Sequence, residues 1–392
     1  MGGMTHADYL AMSRFPALDG LRAIAALLVL VHHFGGPRWI VLSGWVGVYL
    51  FFVLSGFLIT TLALREEERH GRLSLRSFYI RRVFRIMPVY FLLLGVTVLV
   101  YSWLGQYDDL DMASALPYYL TFNGEFVGLG HGYDLSWTLG IEEKFYLVWP
   151  LLAFAIPRLS VRYRVLLATV ASAGVQLLPL PGPSIPYAVI MFGCLLAIAL
   201  HDRRGFAVLR WLTSLPAALT IVAGFILIHL VVPRLAADVV GEAKTIVVYG
   251  AGCVVLVLAT LGRNPVSTLL STGPFGFVGR RSYSLYLVQQ LAALAVVAIV
   301  PVLATPGTGS LLAVSVVALI CADILYRWVE SPGIRLGRRL IQRIQHGEKR
   351  HLDSPSDVAA TPAEPGSLLP VETALDGTGE RRRDLGVQPG MT

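Results

Sequence analysis

Arg22 and His33 stand eleven residues apart in LDGLRAIAALLVLVHHF, the first long apolar run of the chain. On an α-helix that spacing leaves the two side chains ~20° apart around the axis and ~16 Å apart along it. His32 falls ~80° away from Arg22 and is the secondary position. Ionisable groups within an apolar span are costly, and most face a protein interior or a water-filled cavity. A guanidinium and an imidazole on one stripe could hold an anionic group at one end and move a proton at the other. A plainer reading stands beside it: Arg22 snorkels to the membrane surface and His33 sits at the opposite interface.

Five further segments carry chemistry-bearing residues. GVYLFFVLSGFLI at 47–59 sets Gly47, Ser55 and Gly56 among bulky neighbours. This is either a close helix contact or a smooth wall for an extended ligand, with Ser55 offering a hydroxyl. RSFYIRRVFRIMPVY at 76–90 clusters Arg81, Arg82 and Arg85 before Pro88. Arginine forks suit phosphate oxygens, although such a cluster can also simply fix topology. DLSWTLGIEEKFYLVWP at 134–150 drives Glu142 and Glu143 into an aromatic run beside Lys144. A buried carboxylate there could orient a histidine, or the acids could sit in an interfacial first turn. GRRSYSLYLVQQ at 279–290 and YRWVESPGIR at 326–335 place polar and aromatic groups at the ends of apolar runs and are weakly specific alone.

Helices must position these residues. A span needs ~20 mostly apolar residues. Ten such runs lie near 20–36, 43–64, 86–104, 141–157, 163–180, 186–200, 212–232, 245–262, 282–303 and 310–330. The loop expected at 65–85 holds Arg65, Arg69, Arg72, Arg76, Arg81, Arg82 and Arg85, whereas 105–135 holds no Lys or Arg. The positive-inside rule then puts both termini in the cytoplasm. The expected organisation is a cytoplasmic segment at 1–19, a transmembrane domain at 20–333, a basic amphipathic segment at 334–351 and a disordered cytoplasmic tail at 352–392.

The bulk numbers agree with this all-α, polytopic bundle. Of 392 residues 55% are hydrophobic and only 15% charged, too few charges to coat a soluble surface of this size. Lipid replaces water over much of it. The net charge of +7 lies mostly between apolar runs, which argues for topology and against nucleic acid. Lysine occurs only at 144, 244 and 349, a skew expected of a GC-rich bacterial genome such as an actinomycete's. Cys194, Cys253 and Cys321 lie inside apolar runs, without metal or disulfide spacing, and read as small buried hydrophobes. No metal site is expected.

Taken in order, these segments resemble the membrane acyltransferase family 3. That family's first-span motif is Arg, ten residues, His, which Arg22 and His33 match. FFVLSGF at 51–57 and RRVFRIMPVY at 81–90 look like its second and third blocks. Trp137, Leu139, Glu142 and Tyr146 match its Trp-Ser-Leu-x-x-Glu-x-x-x-Tyr block, with Thr138 in place of the serine. SYSLYL at 282–287 and VESP at 329–332 resemble the last two. Tyr49 stands where many members have an acid and Gln289 where many have a histidine, so no second histidine is carried over. The resemblance covers roughly residues 15–335.

The resemblance implies transfer of an acyl group from acyl-CoA, with acetyl-CoA the expected donor, to a hydroxyl. In that scheme Arg81, Arg82 and Arg85 hold CoA phosphates. Ser55, Trp137 and Tyr146 contact substrate, and the thioester runs along the Arg22–His33 stripe. His33 is the base or nucleophile, oriented by Glu142, and Arg22 binds the donor or stabilises developing charge. The composition favours a macrolide-type metabolite as acceptor, with a cell-surface polysaccharide or glycolipid close behind. Two other classes compete: a transporter or flippase of a polar or lipid-linked molecule, and a non-catalytic partner in glycan assembly.

Overall fold

The computed structural model describes residues 4–177, 183–239 and 241–353. The expected tail lies, beyond Asp353, outside the described residues, as do the last residues of the run expected at 163–180. The chain divides into two compact units, 1–344 and 345–392. The described part of the second is helical. The bundle is the first.

Among the described residues every regular element is helical. Ten helices fall on the ten expected runs: α1 Pro16–Phe34, α2 Gly47–His70, α3 Leu75–Trp103, α4 Ser136–Phe154, α5 Val161–Gly174, α6 Ile185–His201, α7 Leu215–Arg234, α8 Glu242–Leu261, α9 Gly273–Ile299 and α10 Thr308–Leu325. An eleventh, α11, covers Ser331–Asp353. Among the described residues seven stretches are long and apolar enough to cross a membrane, and the pair Ile185–His201 and Arg203–Thr213, bent by 105°, raises the number to eight. The expected count of ten is therefore reduced. α4 carries Glu142, Glu143 and Lys144 within 19 residues, and α5 has only 14.

The expected loop at 65–85 is also corrected. α2 continues to His70 and α3 begins at Leu75, so all but Arg72 of its seven arginines are helical. Hydropathy marks the apolar part of a helix. Arginine and glutamate are themselves good helix formers and extend it. Ser74 caps α3 by accepting from the Ser77 N–H.

α1 is the axis of the bundle, packed by α2, α8, α9 and α10. Its Leu18, Leu21, Ala25, Ala26, Val29 and Leu30 are buried. α2 and α6 approach so closely that a Cβ on Gly56 would strike the Ile190 carbonyl, and one on Gly193 the Val53 carbonyl. Gly56 is thus a close helix contact, not a ligand wall. Cys194 packs beside it, buried like Cys253, while Cys321 is half-buried.

Several arginines at the basic end are structural. Arg164 makes a two-oxygen ion pair with Glu67, at 2.9 and 2.7 Å, with both side chains buried. Arg65 donates to the Tyr9 and Met12 carbonyls. Arg281 pairs with Asp323 at 2.6 Å and lies over the Phe277 ring.

Candidate active site

Four helices build one polar cavity toward the arginine-rich end of the bundle. Each contributes a stripe at helical spacing. α2 gives Val48, Phe51, Phe52 and Ser55; α3 gives Arg82, Arg85 and Ile86. α4 gives Thr138, Leu139, Glu142, Glu143 and Tyr146; α9 gives Ser282, Tyr283 and Tyr286. Arg22 enters from α1. The cavity encloses about 80 Å³ of free space.

Its hydrogen bonds form a compact set. Ser55 Oγ donates to Glu142 Oε1 at 3.0 Å, and the Tyr146 hydroxyl donates to Glu142 Oε2 at 2.8 Å. Tyr146 also lies 3.2 Å from Ser55 Oγ. Thr138 Oγ1 donates to the Tyr286 hydroxyl at 3.0 Å, so the hydroxyl in place of serine is used. Arg82 stands over the Tyr146 ring, 5.3 Å from its centroid. Arg22 has only a loose contact with Asp19, at 4.0 Å. Among the described residues Arg22, Arg82 and Arg85 form no ion pair with Glu142 or Glu143 within 4.0 Å. Three guanidiniums converge on space that an anionic ligand could enter.

Arg22, Ser55, Arg82, Arg85, Glu142 and Tyr146 are therefore together, as expected. Three candidates are not. Arg81 points away and pairs with Glu66 at 2.7 Å, because it lies ~100° around α3 from Arg82. Trp137 is off the α4 stripe and packs against Phe52 outside the cavity lining. His33 opens into a different cavity, so its expected orientation by Glu142 is corrected: Glu142 is engaged by Ser55 and Tyr146 instead. The physical reason is length. Three helical turns separate His33 from Arg22, and Glu142 sits at the level of Arg22.

The second cavity, of about 830 Å³, lies at the opposite end of α1. His32 and His33 line it with Trp39, Ser43, Trp45, Pro233, Glu242 and Pro306. The two imidazoles are exposed, their ring centroids 5.0 Å apart.

Sequence reasoning did not single out Tyr283 or Tyr286 as lining residues. The i, i+4 spacing of Ser282 and Tyr286, in register with the polar stripe of α4, was the available signal. It also missed Glu125, whose buried carboxylate meets Lys144 Nζ at 2.6 Å and the Tyr187 hydroxyl at 2.9 Å. That acid reaches α4 from the segment between α3 and α4, where no periodicity points to it.

No solved structure matches the chain. The peptidoglycan O-acetyltransferase OatA of Listeria monocytogenes is 29% identical over 365 residues, which cover 81% of this chain and 55% of that protein. A Staphylococcus aureus protein provisionally named an O-acetyltransferase is 34% identical over 174 residues, 40% of this chain and 28% of its own. A Bacillus subtilis protein provisionally named a peptidoglycan O-acetyltransferase is 36% identical over 151 residues, 35% of this chain and 23% of its own. The chain spans about half the length of the Listeria protein. The profile described as an acyltransferase domain, that of acyltransferase family 3, matches residues 15–327, most of the chain. With the helical bundle and its ordered motifs in view, the chain belongs to acyltransferase family 3.

Proposed function

We propose that the protein is a bacterial membrane O-acyltransferase that moves an acetyl or short acyl group from acyl-CoA to a hydroxyl of a cell-surface glycan. The observation that carries this reading is the cavity in which Arg22, Arg82 and Arg85, none ion-paired to its glutamates, meet the Ser55–Glu142–Tyr146 cluster. The arginine-rich end is read as cytoplasmic by the positive-inside rule, the side on which acyl-CoA is found.

Arg82 and Arg85 bind CoA phosphates at the mouth. The pantetheine arm passes Arg22, whose guanidinium helps to hold the donor in the cavity. Glu142 holds Ser55 and Tyr146 as a fixed polar wall beside the arm. The acyl end extends along α1 to His33 in the second cavity. There His33 takes the acceptor hydroxyl proton as the oxygen attacks the thioester carbon. The C–S bond breaks, the ester C–O bond forms, and the CoA thiolate leaves with a proton returned from the imidazolium. The names of the relatives concern peptidoglycan, and this favours a glycan over the macrolide expected from composition.

The test is reconstitution in vesicles with radiolabelled acetyl-CoA and a glycan acceptor. The expected result is alkali-labile label on the glycan, lost in Arg22→Ala and in His33→Ala. A folded protein that moves glycan across the vesicle membrane and never labels it would overturn the proposal in favour of transport.

A further inference from the structure

We propose that the His33 cavity is a sugar-binding vestibule, with Trp39 and Trp45 as its stacking faces and Glu242 as a hydroxyl acceptor. Its lining comes from three separate connections: the segment after α1, the one between α7 and α8, and the one between α9 and α10. With the N-terminus cytoplasmic, the segment after α1 lies on the membrane side opposite the arginines, and the shared lining puts the other two beside it. Far apart in sequence, they converge on one opening.

The two tryptophans are the first observation. Tryptophan often sits at a membrane interface as an anchor, its ring out among the headgroups. Trp103, Trp211 and Trp328 fit that role, being 85%, 63% and 77% exposed. Trp39 and Trp45 do not. Both are half-buried, and both line the cavity. The Trp39 indole N–H is fixed by donation to Thr308 Oγ1 at 3.1 Å. Trp45 is held edge-on against the Tyr49 ring, 6.3 Å between centroids. Locked aromatic planes lose little freedom on binding and suit the C–H face of a pyranose ring.

The second observation is polar. Glu242, the first residue of α8, is exposed at the cavity and has no ion-pair partner within 4.0 Å among the described residues. His32 and His33 stand nearby, and among the described residues no hydrogen bond closes off either ring. A sugar has hydroxyls around its edge and an apolar face above and below. Aromatic planes combined with a few open polar groups match that surface. The third observation is size. At about 830 Å³ the vestibule has room for a pyranose ring.

This assignment rests on the acyl-transfer reading only for calling the bound sugar an acceptor. It therefore has its own test. Full-length protein in nanodiscs is titrated with a soluble β-1,4-linked N-acetylglucosamine oligosaccharide, without acyl-CoA. Binding is followed by saturation-transfer NMR. Wild type is expected to bind, with Trp39→Ala, Trp45→Ala and Glu242→Gln each weaker by about tenfold, the scale of one truncated aromatic or charged contact. Trp103→Ala, an exposed tryptophan outside both cavities, is expected to bind as wild type. No binding by wild type, or equal binding by all the vestibule variants, overturns the proposal. Binding that depends on these residues in a protein that transfers no acetyl group supports the vestibule and refutes the acyl-transfer reading.

Discussion

Arg22 and His33 lie on one side of α1 and open into different cavities, Arg22 among arginines, glutamates and tyrosines, His33 among tryptophans. The two motif residues are therefore not in contact with each other. In the proposed reaction that spacing of three turns is the length that the donor's arm has to cross. The two residues should fail differently. Arg22→Ala is expected to weaken use of the donor. His33→Ala should leave donor affinity intact and lower kcat by about 10²–10⁴-fold, the range of a lost general base. His32→Ala should stay within a few-fold of wild type, because its ring points off the stripe. Steady-state kinetics with acyl-CoA and glycan varied separately distinguishes these outcomes.

Glu142 supplies a second prediction, through what it does not touch. Its two oxygens accept from Ser55 and Tyr146, and His33 opens into the other cavity. A carboxylate that oriented His33 would hold up the imidazole's proton affinity, and its loss would move the pH profile. Glu142→Gln is therefore expected to reduce kcat while leaving the midpoint of the pH–kcat profile in place. A shifted midpoint would restore the direct pairing that the sequence suggested.

The arginines of α3 separate cleanly. Arg82 and Arg85, three apart, share the cavity face; Arg81 is turned toward Glu66 on α2. Arg82→Ala and Arg85→Ala should each raise KM for acyl-CoA about 10- to 100-fold, as expected for a charge-assisted contact of about 1.5–3 kcal/mol. Arg81→Ala should leave KM unchanged and lower stability by less than about 1 kcal/mol, since its pair is partly exposed.

These contrasts show which parts of the molecule were legible in the sequence. Hydropathy located ten helices, because an apolar run long enough for lipid has few other folds open to it. It did not locate their ends. Arg82 and Arg85 read as loop residues, yet they belong to a 29-residue α3 that aims them into the cavity. Nor does charge alone say what an arginine does. Arg65, Arg164 and Arg281 share the basic end with Arg82, yet each is buried against a carbonyl or carboxylate. The Tyr9 carbonyl, Glu67 and Asp323 that hold them lie 56, 97 and 42 residues away, where no local pattern records them. The motif residues of α4 were legible through the family resemblance, and the structure sets Thr138, Glu142 and Tyr146, four positions apart, on one face.

Glu125 and Lys144 show the same limit and give a stability test. The carboxylate is fully buried, 2.6 Å from the ammonium, and its Oε2 atom has no hydrogen-bond partner among the described residues. Lys144→Met would strand this charge and should destabilise the protein by about 3–5 kcal/mol. Glu125→Gln with Lys144→Met together should cost less than the sum of the two single changes, since neither then leaves a charge alone. Chemical unfolding in mild detergent measures all three. An additive double variant would mean that the pair contributes nothing as a pair.

The contact of α2 with α6 bears on the site from behind. Ser55 faces the cavity, while the next residue, Gly56, lies against the Ile190 carbonyl of α6. A leucine at 56 has nowhere to go, because backbone and not a flexible side chain occupies its volume. Gly56→Leu should destabilise by at least the 1–3 kcal/mol typical of overpacking and push α2 toward the cavity. Displacement of Ser55 would then break its bond to Glu142 and lower kcat as well as stability. Gly95→Leu on α3, where a side chain meets open space, is the matched control and should leave activity and stability near wild type. Comparison of the two by thermal unfolding and by acetyl transfer separates a general loss of fold from a specific shift of α2. If Gly56→Leu kept full kcat at a temperature where it is folded, Ser55 would not depend on this contact for its place beside Glu142.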